Sequence, residues 1–170
     1  MSLLIINTVS ENDCQTQDAI KKLTENISDY KVINAAELNI SHCTGCCACM
    51  LETPGACCLK DDYEKIFQLF FSYNDIVFVS GIALNFINYK TVNIIQRMFP
   101  LVTVLSVFKD GKILHVPRYD KVFRLGLLYK GNPDEKILNA WFDKYAEHFS
   151  SVSLGVFPIS KVKEIHECIL

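Results

Sequence analysis

The sequence predicts a doubly wound α/β fold, in which helices cover both faces of a five-stranded parallel sheet. Three observations favour this class. Short apolar runs of strand length alternate along the chain with amphipathic segments of helical period. The connections between them are short, as in βαβ units. With 170 residues, 50% of them hydrophobic, the chain is expected to form one domain over residues 1–170 with a substantial core.

The first half of the chain contains two predicted strands and two predicted helices. The apolar run Leu3–Asn7 predicts a buried strand, and the helical spacing of apolar residues over 16–27 predicts the helix that follows. Tyr30–Ala35 predicts the second strand. The next helix is predicted to begin at Asp61, because Glu64 stands three residues later, as a capping box requires.

A third strand and a third helix follow. Ile76–Val79 predicts the strand from its β-branched residues, and an uncharged loop through Asn85 comes after it. Asn88 is predicted to cap the next helix. Between Leu101 and Tyr119 the turn signal at residues 109–112 predicts a local hairpin or an irregular excursion.

The last third completes the alternating pattern. Phe123–Tyr129 predicts the fourth strand, and Ser153–Ile159 predicts the last. Between them, Asn132 is predicted to cap a helix that carries Pro133 in its first turn. Five strands in this order suit a flavodoxin-like doubly wound sheet of order 2-1-3-4-5, with a cysteine-rich loop, residues 42–60, after strand 2.

Charge and hydropathy exclude several classes of protein. The net charge is −2 and no basic tail is present, which argues against a nucleic-acid partner. The longest uncharged stretch, Ile76–Tyr89, is too short for a membrane span, and the apolar run at the N-terminus is too short for a signal peptide. We therefore expect a cytoplasmic protein without a membrane partner, whose thiols stay reduced.

Six cysteines lie between Cys43 and Cys58, and they carry the strongest chemical signal in the chain. Cys43, Cys46 and Cys49 are spaced C-x2-C-x2-C, and Cys57 follows after seven more residues. Thiolates at such spacing bind iron–sulfur clusters and zinc. We expect these four thiols to hold a [4Fe–4S] cluster, with zinc as the alternative. Free thiols are the third interpretation, and the neighbouring Cys47 and Cys58 are possible substitute ligands.

The segment from Cys43 through Gly55 and Cys57 to Asp61-Asp62, followed by a helix and a strand that ends at Ser80, resembles a known family. It is similar to the iron–sulfur flavoprotein branch of the NADPH-dependent FMN reductases. The resemblance implies a flavodoxin-like fold, FMN at the sheet edge, a [4Fe–4S] cluster near the flavin and a homo-oligomer. It also implies that the four cysteines named above are the cluster ligands.

The resemblance places FMN at three loops on one edge of the sheet. The candidate FMN-binding residues are Thr8, Ser10, Asn12, Gln15 and Thr16 in the first loop, Ser80, Gly81, Ile82, Ala83 and Asn85 in the second, and Gly131 in the third. The first loop departs from the family pattern, since it has no arginine and Glu11 and Asp13 place negative charge beside the expected phosphate. In the second loop Ala83 replaces an aromatic residue that often flanks the ring.

These features predict an FMN-dependent oxidoreductase or electron-transfer flavoprotein that takes electrons from NAD(P)H or a small redox protein. No side-chain acid or base is predicted to take part, because the chain offers no His/Asp/Ser constellation. The alternative is a flavodoxin-like protein without FMN, in which a structural zinc or cluster loop supports a partner-binding subunit.

Overall fold

A mainly parallel sheet forms the centre of the molecule in the computed structural model, which describes residues 2–170. The strands are β1 (Leu3–Asn7), β2 (Tyr30–Asn34), β3 (Asp75–Ala83), β4 (Phe86–Ile87), β5 (Val102–Lys109), β6 (Lys112–Pro117), β7 (Arg124–Lys130) and β8 (Val152–Pro158). The helices are α1 (Cys14–Leu23), α2 (Ala48–Leu51), α3 (Tyr63–Leu69), α4 (Tyr89–Gln96), α5 (Glu135–His148) and α6 (Val162–Ile169).

The parallel strands lie in the order β2-β1-β3-β7-β8. The α/β class with a parallel central sheet is therefore confirmed. The sheet differs in detail from the five predicted strands, because β4 pairs antiparallel with the end of β3 and makes it six-stranded. The hairpin predicted between residues 101 and 119 is present as β5–β6, which forms a separate two-stranded sheet.

Two hydrophobic layers cover the sheet. On one face α3, α4 and α5 pack against side chains such as Phe78 and Leu127. On the other face α1 and α6 pack against β1 and β3. Helix α6 was not predicted, although Val162, Ile165 and Ile169 recur at helical spacing and are buried. Among residues 2–170, no helix combines the length and the apolar character needed to cross a membrane.

Two predicted helix starts are wrong by two or three residues. The helix predicted from Asp61 begins at Tyr63, since the Asp61 carboxylate forms an ion pair with Arg97. The same carboxylate also accepts a hydrogen bond from the Tyr63 amide at 3.0 Å. The helix predicted from the Asn132 cap begins at Glu135, and its cap is Asp134, whose side chain accepts from the Ile137 amide.

The first helix and the loop after β3 also differ from prediction. The helix predicted over 16–27 ends at Leu23, because the chain turns through Asn26, which has a left-handed φ of 62°. The predicted uncharged loop through Asn85 is a hairpin, since β3 continues to Ala83 and pairs with β4. Its turn consists of Leu84 and Asn85, with φ of 50° and 60°. Two successive left-handed residues make the kind of turn that joins antiparallel strands tightly.

Candidate functional site

Three loops meet at the carboxyl edge of the sheet. Thr8 follows β1 and is tied to β3, because its amide donates to the Val79 carbonyl at 2.9 Å. The hairpin at Ala83–Asn85 extends from β3, and Gly131 follows β7. The Asp134 amide donates to the Asn85 carbonyl at 3.2 Å, so the second and third loops are joined directly. The structure thus brings together the three segments in which FMN-binding residues are predicted.

A buried polar network fixes the first two of these loops. The Thr8 hydroxyl lies 2.6 Å from the Thr91 hydroxyl, which donates to Ser80 Oγ at 2.8 Å. The Asn88 side-chain amide donates to Thr8 Oγ1 at 3.1 Å. Thr8 and Ser80 are buried, so their hydroxyls position the loops and do not face the open edge. Asn88 was predicted only as a helix cap, which it also is, and Thr91 was not predicted as part of the site.

The phosphate end of the predicted FMN site is the loop between β1 and α1. Ser10, Glu11, Asn12 and Gln15 are exposed there, whereas Thr16 is buried. Asp13 Oδ1 accepts from the Thr16 amide at 2.9 Å and thereby caps α1. Its other carboxylate oxygen forms an ion pair with Lys130 Nζ, at the end of β7.

The Asp13–Lys130 contact changes the charge of this loop. The hydrogen bond from Lys130, followed by that from the Thr16 amide, lowers the pKa of Asp13 to about 2. A cation therefore lies at this loop, although the only charged residues in its own sequence are Glu11 and Asp13. Lys130 begins the third of the predicted loops, but its ion pair with Asp13, 117 positions away in the chain, was not predicted.

The second and third loops are in direct contact. Gly131 has a φ of +126°, and a Cβ placed on it would lie 2.9 Å from the Ile82 Cβ. Only glycine allows this conformation and this approach. Ala83, Leu84 and Asn85 are exposed at the tip of the hairpin. At this edge Gly131 is exposed, whereas Gly81 is half-buried and its carbonyl accepts from the Asn88 amide at 2.9 Å.

The cysteine loop lies after β2, and a single buried arginine fixes both of its ends. Arg97 donates to the Ser41 carbonyl before the loop, at 3.5 Å, and to the Leu59 carbonyl near its end, at 3.1 Å. Its Nη1 atom lies 2.5 Å from Asp61 Oδ2. The guanidinium lies 4.5 Å from the centre of the Tyr63 ring, and the Arg97 side chain is 1% exposed. Burial raises the pKa of Asp61, but the Ser41 amide and Arg97 outweigh it and hold that pKa below its usual value.

The hairpin β5–β6 supports the cysteine loop from outside. Arg118, just after β6, donates to the carbonyls of Pro100 and Val102, at 3.2 Å in each case. The neighbouring Tyr119 hydroxyl oxygen would lie 2.6 Å from a Cβ placed on Gly55. A cavity of about 290 Å³ lies beside this contact, with Cys57 and Arg97 in its wall. Glycine at position 55 therefore lets the hairpin pack closely on the loop.

The predicted metal ligands share this loop but do not converge on one point. Within residues 2–170, no group of three or more His, Cys, Asp or Glu side chains is placed to hold a metal ion. Burial, and then the neighbouring thiols of Cys57, Cys43 and Cys46, raise the pKa of Cys49 to about 11. One thiol contact includes a cysteine outside the predicted set, since Cys46 Sγ lies 3.5 Å from Cys58 Sγ.

Comparison with known proteins finds solved structures that share the fold of this chain. RosB, in complex with the intermediate 8-demethyl-8-formylriboflavin-5′-phosphate, is 16% identical with a TM-score of 0.69, over 99% of this chain and 76% of that chain. A flavone reductase is 16% identical with a TM-score of 0.60, and this chain covers 60% of it with 99% of its own length.

An FMN-dependent NADH-azoreductase from Bacillus anthracis, in complex with FMN, is 14% identical with a TM-score of 0.51, over 99% of this chain and 93% of that chain. No protein-family model and no curated protein sequence matches. At these identities the likeness shows the fold alone, an α/β fold with a mainly parallel sheet.

Proposed function

We propose that this chain is an FMN-dependent oxidoreductase with a flavodoxin-like fold. The observation that carries the proposal is the meeting of loops 8–13, 80–85 and 130–131 at the carboxyl edge of β1, β3 and β7. In open α/β sheets ligands bind at this edge, where the strand order reverses. The fold likeness to RosB and to the azoreductase, both solved with a flavin, supports a flavin as the ligand.

The residues at the phosphate end can bind an anion, although the carboxylates of Glu11 and Asp13 compete with it. Exposed hydroxyl and amide groups at Ser10, Asn12 and Gln15 and the amides at the start of α1 are suitable donors. Among the described residues, Lys130 is the only lysine or arginine that forms an ion pair with this loop. We propose that Lys130 exchanges its ion pair with Asp13 for one with the phosphate when FMN binds. Glu11 opposes it, so we expect weaker binding than an uncharged loop would give.

The residues at the ring end fit a flat ligand. Gly131 lacks a side chain, Ala83 is small, and both are exposed, so each of these two loops offers an uncrowded segment to a ring. When bound, FMN accepts electrons in pairs and releases them singly. The chain binds and orients the flavin and needs no acid or base of its own. We propose NAD(P)H or a small redox protein as the electron donor.

The cysteine loop is a second, separable part of the proposal. The C-x2-C-x2-C spacing and Cys57 support a [4Fe–4S] cluster, with zinc as the alternative. The thiols as arranged here do not fit either centre without rearrangement, since they form no convergent group within residues 2–170. We therefore assign no electron-transfer step to this loop.

We also propose that the chain forms a homo-oligomer through the hairpin β5–β6. Leu105, Phe108 and Ile113 expose 64%, 78% and 68% of their surfaces on this small sheet. Large exposed apolar patches commonly mark interfaces. Light scattering of the wild type and of Phe108→Lys tests this part, because the charged variant is expected to be monomeric.

The decisive experiment is titration of the protein, purified without oxygen, with FMN, followed by flavin fluorescence and by NAD(P)H oxidation. We expect saturable binding, and Lys130→Met is expected to weaken it about tenfold, as the loss of one charge-assisted contact does. Lys121→Met is the matched control, since Lys121 precedes β7 and lies at the opposite edge of the sheet.

Two results would contradict the proposal. Failure of the wild type to bind FMN would favour the binding-subunit alternative. Equal affinities of the two lysine variants would refute the placement of the phosphate. Iron, sulfide and zinc contents of the same preparation test the cysteine loop separately, because a protein with flavin but no metal would retain the first part of the proposal and lose the second.

A further inference from the structure

We propose that Cys46 and Cys58 form a dithiol–disulfide redox site that reacts with low-molecular-weight disulfides. Their Sγ atoms lie 3.5 Å apart, and both residues are exposed. A disulfide bond is about 2.05 Å long, so the two sulfurs need to approach by only about 1.5 Å. The inference goes beyond the proposed oxidoreductase function and does not depend on it.

The backbone of the loop selects Cys46 over its neighbour Cys47. Gly45 and Cys47, on either side of Cys46, both have left-handed φ values, of 69° and 58°. The Cys47 thiol faces the Gly45 carbonyl at 3.5 Å, whereas the Cys46 thiol faces Cys58. The thiols of these two adjacent cysteines thus point in different directions. That of Cys46 points at the thiol of Cys58, which lies 12 positions further along the chain.

The fold also holds the two cysteines together before any bond forms. Arg97 binds the carbonyls of Ser41 and Leu59, which lie outside Cys46 and Cys58 in the chain. The segment between them is therefore already closed in the reduced protein. Joining its two thiols removes little further conformational freedom, and the folded state favours this pair over thiols that are not in contact.

The reaction is two successive thiol–disulfide exchanges. The sulfur of one cysteine, as thiolate, attacks a sulfur of the reagent R–S–S–R. The reagent's S–S bond breaks, a mixed disulfide forms, and RS⁻ leaves and takes up a proton. The sulfur of the second cysteine then attacks the first, breaks the mixed disulfide and releases a second RSH. Two protein thiols are oxidised and one small disulfide is reduced to two thiols.

Formation of this bond has a consequence for the proposed metal site. Cys46 belongs to the predicted ligand set, and Cys58 does not. Because one sulfur cannot form a disulfide and act as a thiolate ligand at once, oxidation removes Cys46 from the ligand set. The oxidised protein keeps Cys43, Cys49 and Cys57 of that set, and it is therefore expected to bind metal at this loop more weakly than the reduced protein does.

The test uses the full chain, reduced and treated with a chelator, and oxidised glutathione as the probe. Wild type is expected to lose two hydrogens at this pair, and peptide mapping is expected to find no glutathione on Cys46 or Cys58. Cleavage after Glu52, under denaturing conditions, separates Cys46 from Cys58 in sequence. The two fragments should remain linked until a reductant is added, and fragmentation of the linked pair should place the bond at these two cysteines.

Serine variants distinguish this pair from the other thiols. Cys46→Ser and Cys58→Ser are each expected to retain one glutathione on the remaining cysteine of the pair. Cys47→Ser is the matched control, since Cys47 is also exposed and adjacent, and it should form the disulfide like the wild type. Thermal unfolding of each reduced variant verifies that it is folded.

Four outcomes would overturn the inference. Three of them are retention of glutathione on Cys46 or Cys58 of the wild type, a bond of either cysteine to any other cysteine, and loss of the reaction in Cys47→Ser. A wild type that does not react with oxidised glutathione at all would overturn it as well. FMN binding by the same samples is an independent measurement, so its failure would contradict the proposed function alone.

Discussion

Replacement of Asp61 by alanine is expected to be one of the most damaging single changes near the cysteine loop. The Asp61 side chain is 7% exposed and its partner Arg97 is 1% exposed, so the substitution leaves a buried guanidinium without its counter-ion. Breaking a buried pair in this way costs about 3–5 kcal/mol. With an unfolding slope of about 2 kcal/mol per molar urea, the midpoint should fall by roughly 2 M.

The neighbouring aspartate provides a matched control. Asp62 pairs with Lys65, whose side chain is 78% exposed, and ion pairs at the surface contribute little to stability. Urea unfolding followed by circular dichroism should therefore separate Asp61→Ala from Asp62→Ala clearly. The double variant Asp61→Leu with Arg97→Met should recover much of the loss, because it leaves no unpaired charge. Equal costs for the two alanine variants would refute this account of the loop.

Three further predictions concern the carboxyl edge. The pKa of Asp13 is about 2, below its value of about 3.9 in an unfolded chain. Its contribution to stability is present above about pH 4 and is lost as the pH falls towards about 2. The urea midpoint should therefore depend less on pH between about 2 and 4 in Lys130→Met than in the wild type. Gly131→Ala should cost about 1–3 kcal/mol, from its φ of +126° and the approach to Ile82, and more than Gly111→Ala, which meets no atom within 4 Å. Leu84→Gly should raise the free energy of unfolding by up to about 1 kcal/mol, because Leu84 has a φ of 50° and buries no side-chain surface. A lower urea midpoint for this variant would contradict that reasoning.

The strands could be predicted because burial leaves a local pattern. The run Leu3–Asn7 is buried at every position, and the structure gives the strand the predicted bounds. The ends of the helices were less accessible to prediction, because a carboxylate can cap a helix or pair with a distant cation. Asp61 occupies a position typical of a cap, but Arg97 lies 36 positions away in the chain and takes its carboxylate. The turn at Leu84 was hidden for a related reason, since leucine rarely adopts a left-handed conformation.

The charge of the phosphate loop illustrates the same limit at the candidate site. When only the charges within the loop are counted, Glu11 and Asp13 make it negative and therefore unfavourable for a phosphate. The parallel topology changes that count, because the carboxyl ends of β1, β3 and β7 lie at one edge and the residue that ends β7 is Lys130. Charges near the ends of parallel strands should therefore be counted together, whatever their separation in the chain. Applied to this sequence, that rule identifies Lys130 as the cation at the loop and leaves Glu11 as the carboxylate that most directly opposes an anion.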